Sequence, residues 1–343
     1  MKAIQLEKPQ SFRIIDIPDS PFPKQGEVLV RVHRVGICGT DIGGFLGKMP
    51  FFSYPRIPGH ELGVEVLQVG QGVTNVAKGD RCAVEPYINC QNCSSCVRGH
   101  TNCCENHQTL GVHCDGGLRS TFLVPARKLH RSTQLSFDQL ALVETLAIGC
   151  HAINRANLRA NQSVLVIGAG PIGLSVIEFA KLAGANTIVM DINPSRLEFC
   201  RHSMGIKHTV ALTQDGLEAD RLRACTSDGA FPAVVVDATG NHKSMGNALN
   251  YCGFAGRLVF VGITQQEVIF PHAPIMHRRE LTLLASRNAL SEDFSRIIRL
   301  IEQGSIDTRP WITHRTQFNE LPDVFPTYTD PKSGVIKAMV EIP

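Results

Sequence analysis

The sequence predicts an α/β fold in two parts, one β-rich and one built on a doubly wound parallel sheet. Three observations predict it. The first third alternates apolar and polar residues between Gly and Pro punctuation. Beyond about residue 150, short apolar runs alternate with helix-like stretches of ten or so residues. The length, 343 residues, also suits two domains better than one.

In order along the chain, Glu27 to His33 and Gly63 to Val69 read as strands, with glycines dense between Gly36 and Gly72 marking tight turns. Val164 to Ile167 is a short buried strand, followed by a Gly-rich turn and a helix to Ala183. Thr187 to Met190 reads as the next strand, ending in Asp191. Pro194 to Met204 has Pro in its first turn and predicts a helix. Ala233 to Asp237 and Arg257 to Val261 are further buried strands, and this block closes near Arg287. A helix follows over Asp293 to Gln303, and a last strand, Val335 to Ile342, returns to the first domain. The expected division is residues 1–152 with 288–343, and 153–287 as the inserted sheet domain.

Composition narrows the function. Lys and Arg number 34 against 31 Asp and Glu, a balance of +3, with no run of five like charges. A nucleic-acid-coating or membrane-surface protein would show a basic stripe, so neither partner is expected. The longest uncharged apolar stretch, Val164 to Ile177, is broken by Gly168, Gly170, Pro171 and Gly173, too short to span a bilayer. The N-terminus has no apolar core and no small-residue cleavage site. A cytoplasmic protein is therefore expected.

Five of the twelve cysteines crowd between Cys90 and Cys104. Such crowding points to metal rather than disulfides. Cys90, Cys93, Cys96 and Cys104 can surround a tetrahedral zinc with no open position, which makes the site structural. Cys103 competes with Cys104 for the fourth place.

Gly168-Ala-Gly170-Pro171-Ile172-Gly173 follows a strand and opens a helix. Asp191 lies 18 residues past Gly173, where a dinucleotide site places its ribose acid. The glycines let backbone approach a pyrophosphate at the helix N-terminus. A carboxylate at 191 repels a 2′-phosphate and favours NAD over NADP, with Arg196, one turn on, acting in the opposite sense.

A third set is dispersed: Cys38 in Gly36-Ile-Cys-Gly-Thr-Asp41, His60-Glu61 in Pro58-Gly-His-Glu61, and Glu144 in Leu142-Val-Glu-Thr-Leu146. Each residue alone is ordinary, but mixed sulfur, nitrogen and oxygen donors suit a catalytic zinc. Spacing alone does not join the three segments.

With these motifs in order along essentially its whole length, the chain resembles the zinc-dependent medium-chain dehydrogenases. It is most similar to the sorbitol dehydrogenase-like branch, with YPRIPGHELG and LGVHCDGG nearest to L-galactonate/L-gulonate 5-dehydrogenase-type enzymes. The resemblance implies a GroES-like β-rich catalytic domain beside a Rossmann domain, two zinc ions per subunit, NAD, and a homodimer or homotetramer. It implies that Cys38 and His60 ligate the catalytic zinc, while Glu61 and Glu144 compete for the remaining protein ligand. Thr40 matches the hydroxyl that passes the substrate proton, and Asp41 the acid that orients His60. Cys104 rather than Cys103 closes the structural lobe.

Two departures stand out. Gly43 occupies the place where many relatives carry the relay's outer His. Gly44 leaves room where polyol enzymes often place an aromatic ring, which reads equally as a wider pocket or as neutral drift in a turn. The implied reaction is NAD-linked oxidation of a secondary hydroxyl in a sugar acid. A polyol substrate is the alternative, and L-threonine a lesser one, since Glu144-Thr145 replaces that branch's Asp-Pro. A non-catalytic NAD- and zinc-binding regulator would fit had Cys38, His60 or Thr40 been missing. A sugar-acid carboxylate needs a cation. Arg287, in Leu284-Ala-Ser-Arg-Asn288, matches the family stretch that reaches the substrate, and Arg119 is the second candidate.

Overall fold

The structure is a computed structural model that describes residues 1–213 and 215–343. It divides into two compact units, residues 1–145 with 290–343, and residues 146–289. The expected boundary at 152 falls inside one unbroken helix, and the division lies earlier in that same helix.

The first unit opens with a hairpin, β1 (Lys2–Lys8) and β2 (Ser11–Asp16). Next come β3 (Glu27–Gly36), helix α1 (Gly39–Phe45), β4 (Glu61–Val69) and β5 (Arg81–Val84). A small ribbon pairs β6 (Tyr87–Ile88) with β7 (Gln108–Thr109), and between them lies the short helix α2 (Ser94–Val97). Strands β8 (Thr121–Pro125) and β9 (Leu129–Ser132) precede the 20-residue helix α3 (Phe137–Ala156).

The second unit holds β10 (Ser163–Ile167), α4 (Pro171–Leu182), β11 (Asn186–Asp191), α5 (Pro194–Met204) and β12 (His208–Ala211). It continues with α6 (Glu218–Ala224), β13 (Val234–Asp237), α7 (His242–Ala248), β14 (Arg257–Phe260) and β15 (Thr282–Ala285). Its six strands are all parallel, in the order β12-β11-β10-β13-β14-β15. The order reverses between β10 and β13, the switch point where such sheets bind ligands beyond their C-terminal ends. Val164, Leu165, Val166, Val234, Val235 and Val236 are fully buried, as strands covered on both faces require. Each contributes about 1.5–3 kcal/mol of burial.

The chain then returns to the first unit with α8 (Ser291–Glu302), β16 (Ile312–Gln317) and β17 (Lys337–Glu341). Its main sheet has the order β16-β17-β3-β4-β5-β9, with β8 also on β3. Val28, Val30 and Val32 on β3 and Leu62, Val64 and Val66 on β4 alternate into one core. Met339 of β17 packs against Ala141 and Leu142 of α3. Among the described residues no helix is long and apolar enough to cross a membrane.

Candidate active site

Three neighbouring strands build the buried end of the first candidate site. In register, Glu61 of β4 pairs with Gly36 of β3, and Gly36 with Met339 of β17. Lys337 lies two residues before Met339 and so shares its face. A Cβ on Gly36 would stand 2.1 Å from Glu61 Oε2, so glycine is what lets the carboxylate lie over that strand. Into this gap Lys337 Nζ donates to both Glu61 oxygens, at 2.6 and 2.7 Å, and to the Ile37 carbonyl at 3.2 Å.

Helix α1 begins at Cys38, its N-cap, and Asp41 Oδ2 accepts the Cys38 N–H at 2.9 Å. The other Asp41 oxygen faces His60 Nδ1 at 3.8 Å. Cys38, His60 and Glu61 each bring one donor atom, and all three lie within 4.8 Å of one another. A thiolate, a neutral imidazole and a carboxylate bring two negative charges to a dication, with three protein donors and room for a fourth. The donor set therefore fits zinc. Among the described residues, the buried Asp41 Oδ1 and His60 Nδ1 have no hydrogen-bond partner. They are the pair that tightens when a metal-bound imidazole is oriented by a carboxylate.

Glu144 lies outside the three-donor group. It sits on α3, buried, and its carboxylate accepts the Tyr87 hydroxyl proton. Burial first and the Glu61 charge second push the Glu144 carboxyl above its ordinary value, against His60 and Tyr87. Burial alone would lower Lys337, but Glu61, Cys38 and Glu144 together outweigh it and hold the ammonium above its usual range. Burial also opposes the His60 charge, yet Asp41 and Cys38 raise it well above the ordinary imidazole value.

Neither Lys337 nor Tyr87 emerged from the sequence. The available signal for Lys337 was a charge opening a buried run, Lys-Ala-Met-Val, where a lone ammonium demands a partner. Tyr87 gave no signal beyond being one of only four tyrosines.

The Gly44 expectation is corrected. The place a side chain would take there is occupied by the Phe52 ring, 2.7 Å from an ideal Cβ, and Tyr54 donates its hydroxyl to the Gly44 carbonyl. On Gly43 a Cβ would make only an ordinary contact with Met49, at 3.5 Å. Phe52 refills the space at Gly44, so that glycine leaves no extra room.

The four-cysteine lobe hangs between β6 and β7. Cys104 Sγ is 3.5 Å from Cys90 Sγ and 3.9 Å from Cys93 Sγ. Zinc–sulfur bonds of about 2.3 Å give tetrahedral edges of about 3.8 Å, so the spacing fits the metal. Asn89 Nδ2 approaches Cys96 Sγ at 3.5 Å, and Arg127 holds Asn89 through its side-chain and backbone oxygens at 2.8 and 2.9 Å. Backbone N–H groups of Asn92 and Cys93 pull the Cys90 thiol down to about 6. Cys103 is exposed and Cys104 buried.

In the second unit, Gly173 is fixed by contact: a Cβ there would stand 1.7 Å from the Gly168 carbonyl oxygen. That closeness lets α4 start tight against β10, with Gly170 as its N-cap and Pro171 at its first position. Asp191 ends β11. It accepts the Ala169 N–H at 2.6 Å and the Asn193 N–H at 2.7 Å, one on each oxygen. The carboxylate is thus pinned over the glycine turn with lone pairs left for a ribose. Ile172 is half-buried in the same turn, and Arg196 Nη1 comes within 3.6 Å of a Cβ position on Gly170. The turn has the cradle a dinucleotide needs.

The two substrate-cation candidates part company. Arg119 lies along Phe122, donates to the Asp115 carbonyl at 3.3 Å, and lines a cavity of about 480 Å³ beside the N-terminal hairpin. None of Cys38, His60, Glu61 and Glu144 lines that cavity. Arg287 is exposed, two residues past the end of β15.

Comparison with known proteins agrees with this architecture. The Alcohol dehydrogenase GroES-like domain family matches residues 24–134, and the Zinc-binding dehydrogenase family matches residues 171–303. The chain is 38% identical over 305 residues to the L-galactonate-5-dehydrogenase of Escherichia coli K12, covering 89% of this chain and 88% of that one. It is 34% identical to the L-arabinitol 4-dehydrogenase of Hypocrea jecorina, covering 93% and 86%. A solved structure of a short chain alcohol dehydrogenase (rspB) from Escherichia coli CFT073, complexed with NADH, superposes with a TM-score of 0.91 at 29% identity, covering 100% and 99%. The chain belongs to the zinc-type alcohol dehydrogenase family of medium-chain enzymes, with a GroES-like part and a Rossmann part. It is an oxidoreductase acting on CH–OH groups.

Proposed function

We propose that the chain oxidises a secondary hydroxyl of a sugar acid, an aldonate such as L-galactonate or L-gulonate, to a ketone with NAD. The observation that carries the chemistry is the cluster of half-buried Cys38 with buried His60 and Glu61, and Glu144 anchored by Tyr87 in the same unit. The similarity to an L-galactonate-5-dehydrogenase over most of both chains supports the substrate class. Bound zinc would polarise the substrate oxygen, and NAD would take up the hydride.

The remaining work falls to this chain's side chains. Cys38, His60 and Glu61 would hold the metal, and Asp41 would fix the His60 ring. Lys337 offsets part of the negative charge gathered by Cys38, Glu61 and Glu144. Glu144, held at one oxygen by Tyr87, would serve as the outer carboxylate beside Glu61 as the direct ligand. Thr40 would accept the substrate hydroxyl proton and pass it outward. With no imidazole at Gly43, that proton would leave to water or a ribose hydroxyl. Asp191 would bind the adenosine ribose and disfavour NADP, and Cys90, Cys93, Cys96 and Cys104 would hold a structural zinc.

A polyol is the second reading, favoured by the likeness to L-arabinitol 4-dehydrogenases. NADH formation across a panel of aldonates, polyols and L-threonine, with and without chelator, separates the readings. Faster turnover of a polyol than of its matched aldonate would remove the sugar-acid reading. Chelator-insensitive turnover would remove the catalytic zinc.

A further inference from the structure

Asn89 and Arg127 stand beside the four-cysteine lobe without belonging to it. Asn89 follows β6 and directly precedes Cys90. It is buried, and its side chain lies between a guanidinium and a thiol. Arg127 Nη1 donates to Asn89 Oδ1 at 2.8 Å, and Arg127 Nη2 donates to the Asn89 carbonyl at 2.9 Å. Arginine has donors only, so this contact fixes which way the amide points. The NH2 group therefore faces Cys96, whose Sγ is 3.5 Å from Nδ2.

The charges point the same way. Arg127 is half-buried, and among the described residues no carboxylate forms an ion pair with it. Both its hydrogen bonds go to Asn89. Four thiolates around a dication leave two net negative charges, the nearest complement to that guanidinium in the sequence of contacts. Arg127 draws electron density toward Asn89 Oδ1, which makes the amide hydrogens better donors. A hydrogen bond to a thiolate is charge-assisted and stronger than one to a thiol.

The clamp is seated on the main sheet rather than on the lobe. Arg127 lies in the turn Ala126–Lys128 between β8 and β9. The next residue, Lys128, is buried. It donates to Glu85, and its carbonyl accepts the Glu85 N–H at 2.8 Å. Glu85 also accepts the Ser291 hydroxyl proton. Cys104 Sγ accepts the Cys90 N–H at 3.2 Å, a bond made inside the lobe. Cys96 instead takes its donor from a side chain outside residues 90–104, held by a part of the fold that needs no metal.

We infer that Arg127 and Asn89 are positioning residues for the lobe. Arg127 orients and polarises the Asn89 amide, and the amide holds and shields the Cys96 thiolate, so that the lobe keeps its metal against competing ligands. The inference rests on the structural zinc of the proposed function.

The test follows zinc leaving the full-length, zinc-loaded enzyme in the presence of the chelator 4-(2-pyridylazo)resorcinol. The lobe's share of the release is the phase that Cys104→Ser lacks. Asn89→Leu keeps the bulk and removes the N–H. It should release the lobe's zinc about tenfold faster or more, the loss of one hydrogen bond to a charged group. Arg127→Met leaves the amide in place without its polarising charge and should speed release by less. Because Arg127 acts through Asn89, the double variant should release no faster than Asn89→Leu alone. Melting temperature and zinc content establish that each variant is folded and loaded. A variant that folds but purifies without the lobe's zinc counts as faster release. Should Asn89→Leu fail to fold, Asn89→Asp, which keeps an acceptor for Arg127 but has no N–H, is read with the same expectation. Cobalt(II) in place of zinc gives a second readout. Losing the N–H···S bond should move the sulfur-to-cobalt charge-transfer band to lower energy, which a loss of packing alone does not do. Unchanged release from the Asn89 variant, additive effects in the double variant, or an unmoved charge-transfer band would each overturn the inference. If the parent shows no release phase that Cys104→Ser lacks, the structural zinc itself falls, and the inference with it.

Discussion

Lys337 reaches Glu61, 276 positions away in sequence, across the space left by Gly36, and closes an ion pair in which both partners are almost fully buried. The pair matters most when no metal is bound, because Glu61 then lacks a dication's charge to offset its burial. Lys337→Met is therefore expected to destabilise the chelator-treated protein by roughly 3–5 kcal/mol, the cost of leaving one buried charge alone. Zinc, by binding the orphaned carboxylate, should cut that loss sharply. Denaturant melts of both proteins with and without zinc measure the difference. An equal loss in the two states would mean that Glu61 stays away from the metal.

The structural lobe gives a cleaner comparison between two adjacent cysteines. Cys104 lies within 3.9 Å of two other thiol sulfurs, while Cys103 is exposed. Cys104→Ser should lower zinc content by one ion per chain and lower the melting temperature. Cys103→Ser should change neither. Metal analysis of the two variants decides it, and a loss of zinc from Cys103→Ser alone would reverse the ligand assignment.

The parallel sheet was legible because its signals are local. A run such as Val164 to Ile167, a glycine turn and an acid 18 residues past Gly173 all fall within one βαβ stretch. The four cysteines were legible for the same reason. The dispersed site was different: Cys38, His60 and Glu144 lie in segments that only family likeness joined. Lys337 and Tyr87 stayed hidden because their partners are 276 and 57 residues away, and a pair made by sheet register or helix packing leaves no periodic trace. Gly44 misled for a related reason. A glycine shows that a side chain is missing, but not that Phe52, eight residues on, fills the space.

A buried polar cluster in the first unit sets an acid limit to stability. Glu85 accepts a hydrogen bond from Lys128, faces His130 Nε2 at 3.2 Å, and accepts the Ser291 hydroxyl proton at 2.5 Å. Burial pushes its carboxyl up, but His130 and Lys128 outweigh that and hold it below the ordinary value of 4.5. Lys128 is itself pulled down, because its burial exceeds what the pairing restores. A carboxylate with a lowered folded pKa stabilises fully above its unfolded value and loses that contribution as pH falls through the folded value. Glu85→Gln should therefore be less stable than the parent near neutrality, and the gap should close as pH drops below about 4.5. Denaturant midpoints measured from pH 7 to pH 3 test this. A gap that stays constant across the range would show that shape, not charge, makes Glu85 important.

The charge of the substrate is the remaining question, and Arg287 is where it can be asked. Ligand groups in parallel-sheet domains gather beyond the C-terminal ends of the strands. Arg287 stands two residues beyond the end of β15 and is exposed. A guanidinium there can bind a carboxylate through two parallel hydrogen bonds, which a hydroxymethyl group cannot match. The alternative is that Arg287 serves the cofactor, in which case every substrate depends on it equally. Arg287→Met should therefore be assayed on L-galactonate and on the hexitol of matched configuration, with the NAD dependence measured in each case. Losing one charge-assisted contact costs about 1.5–3 kcal/mol, which is about 10- to 150-fold in kcat/KM. That loss should fall on the aldonate, with the hexitol and the KM for NAD little changed. An equal loss on both substrates, with a raised KM for NAD, would assign Arg287 to the cofactor and leave the sugar-acid reading without its cation.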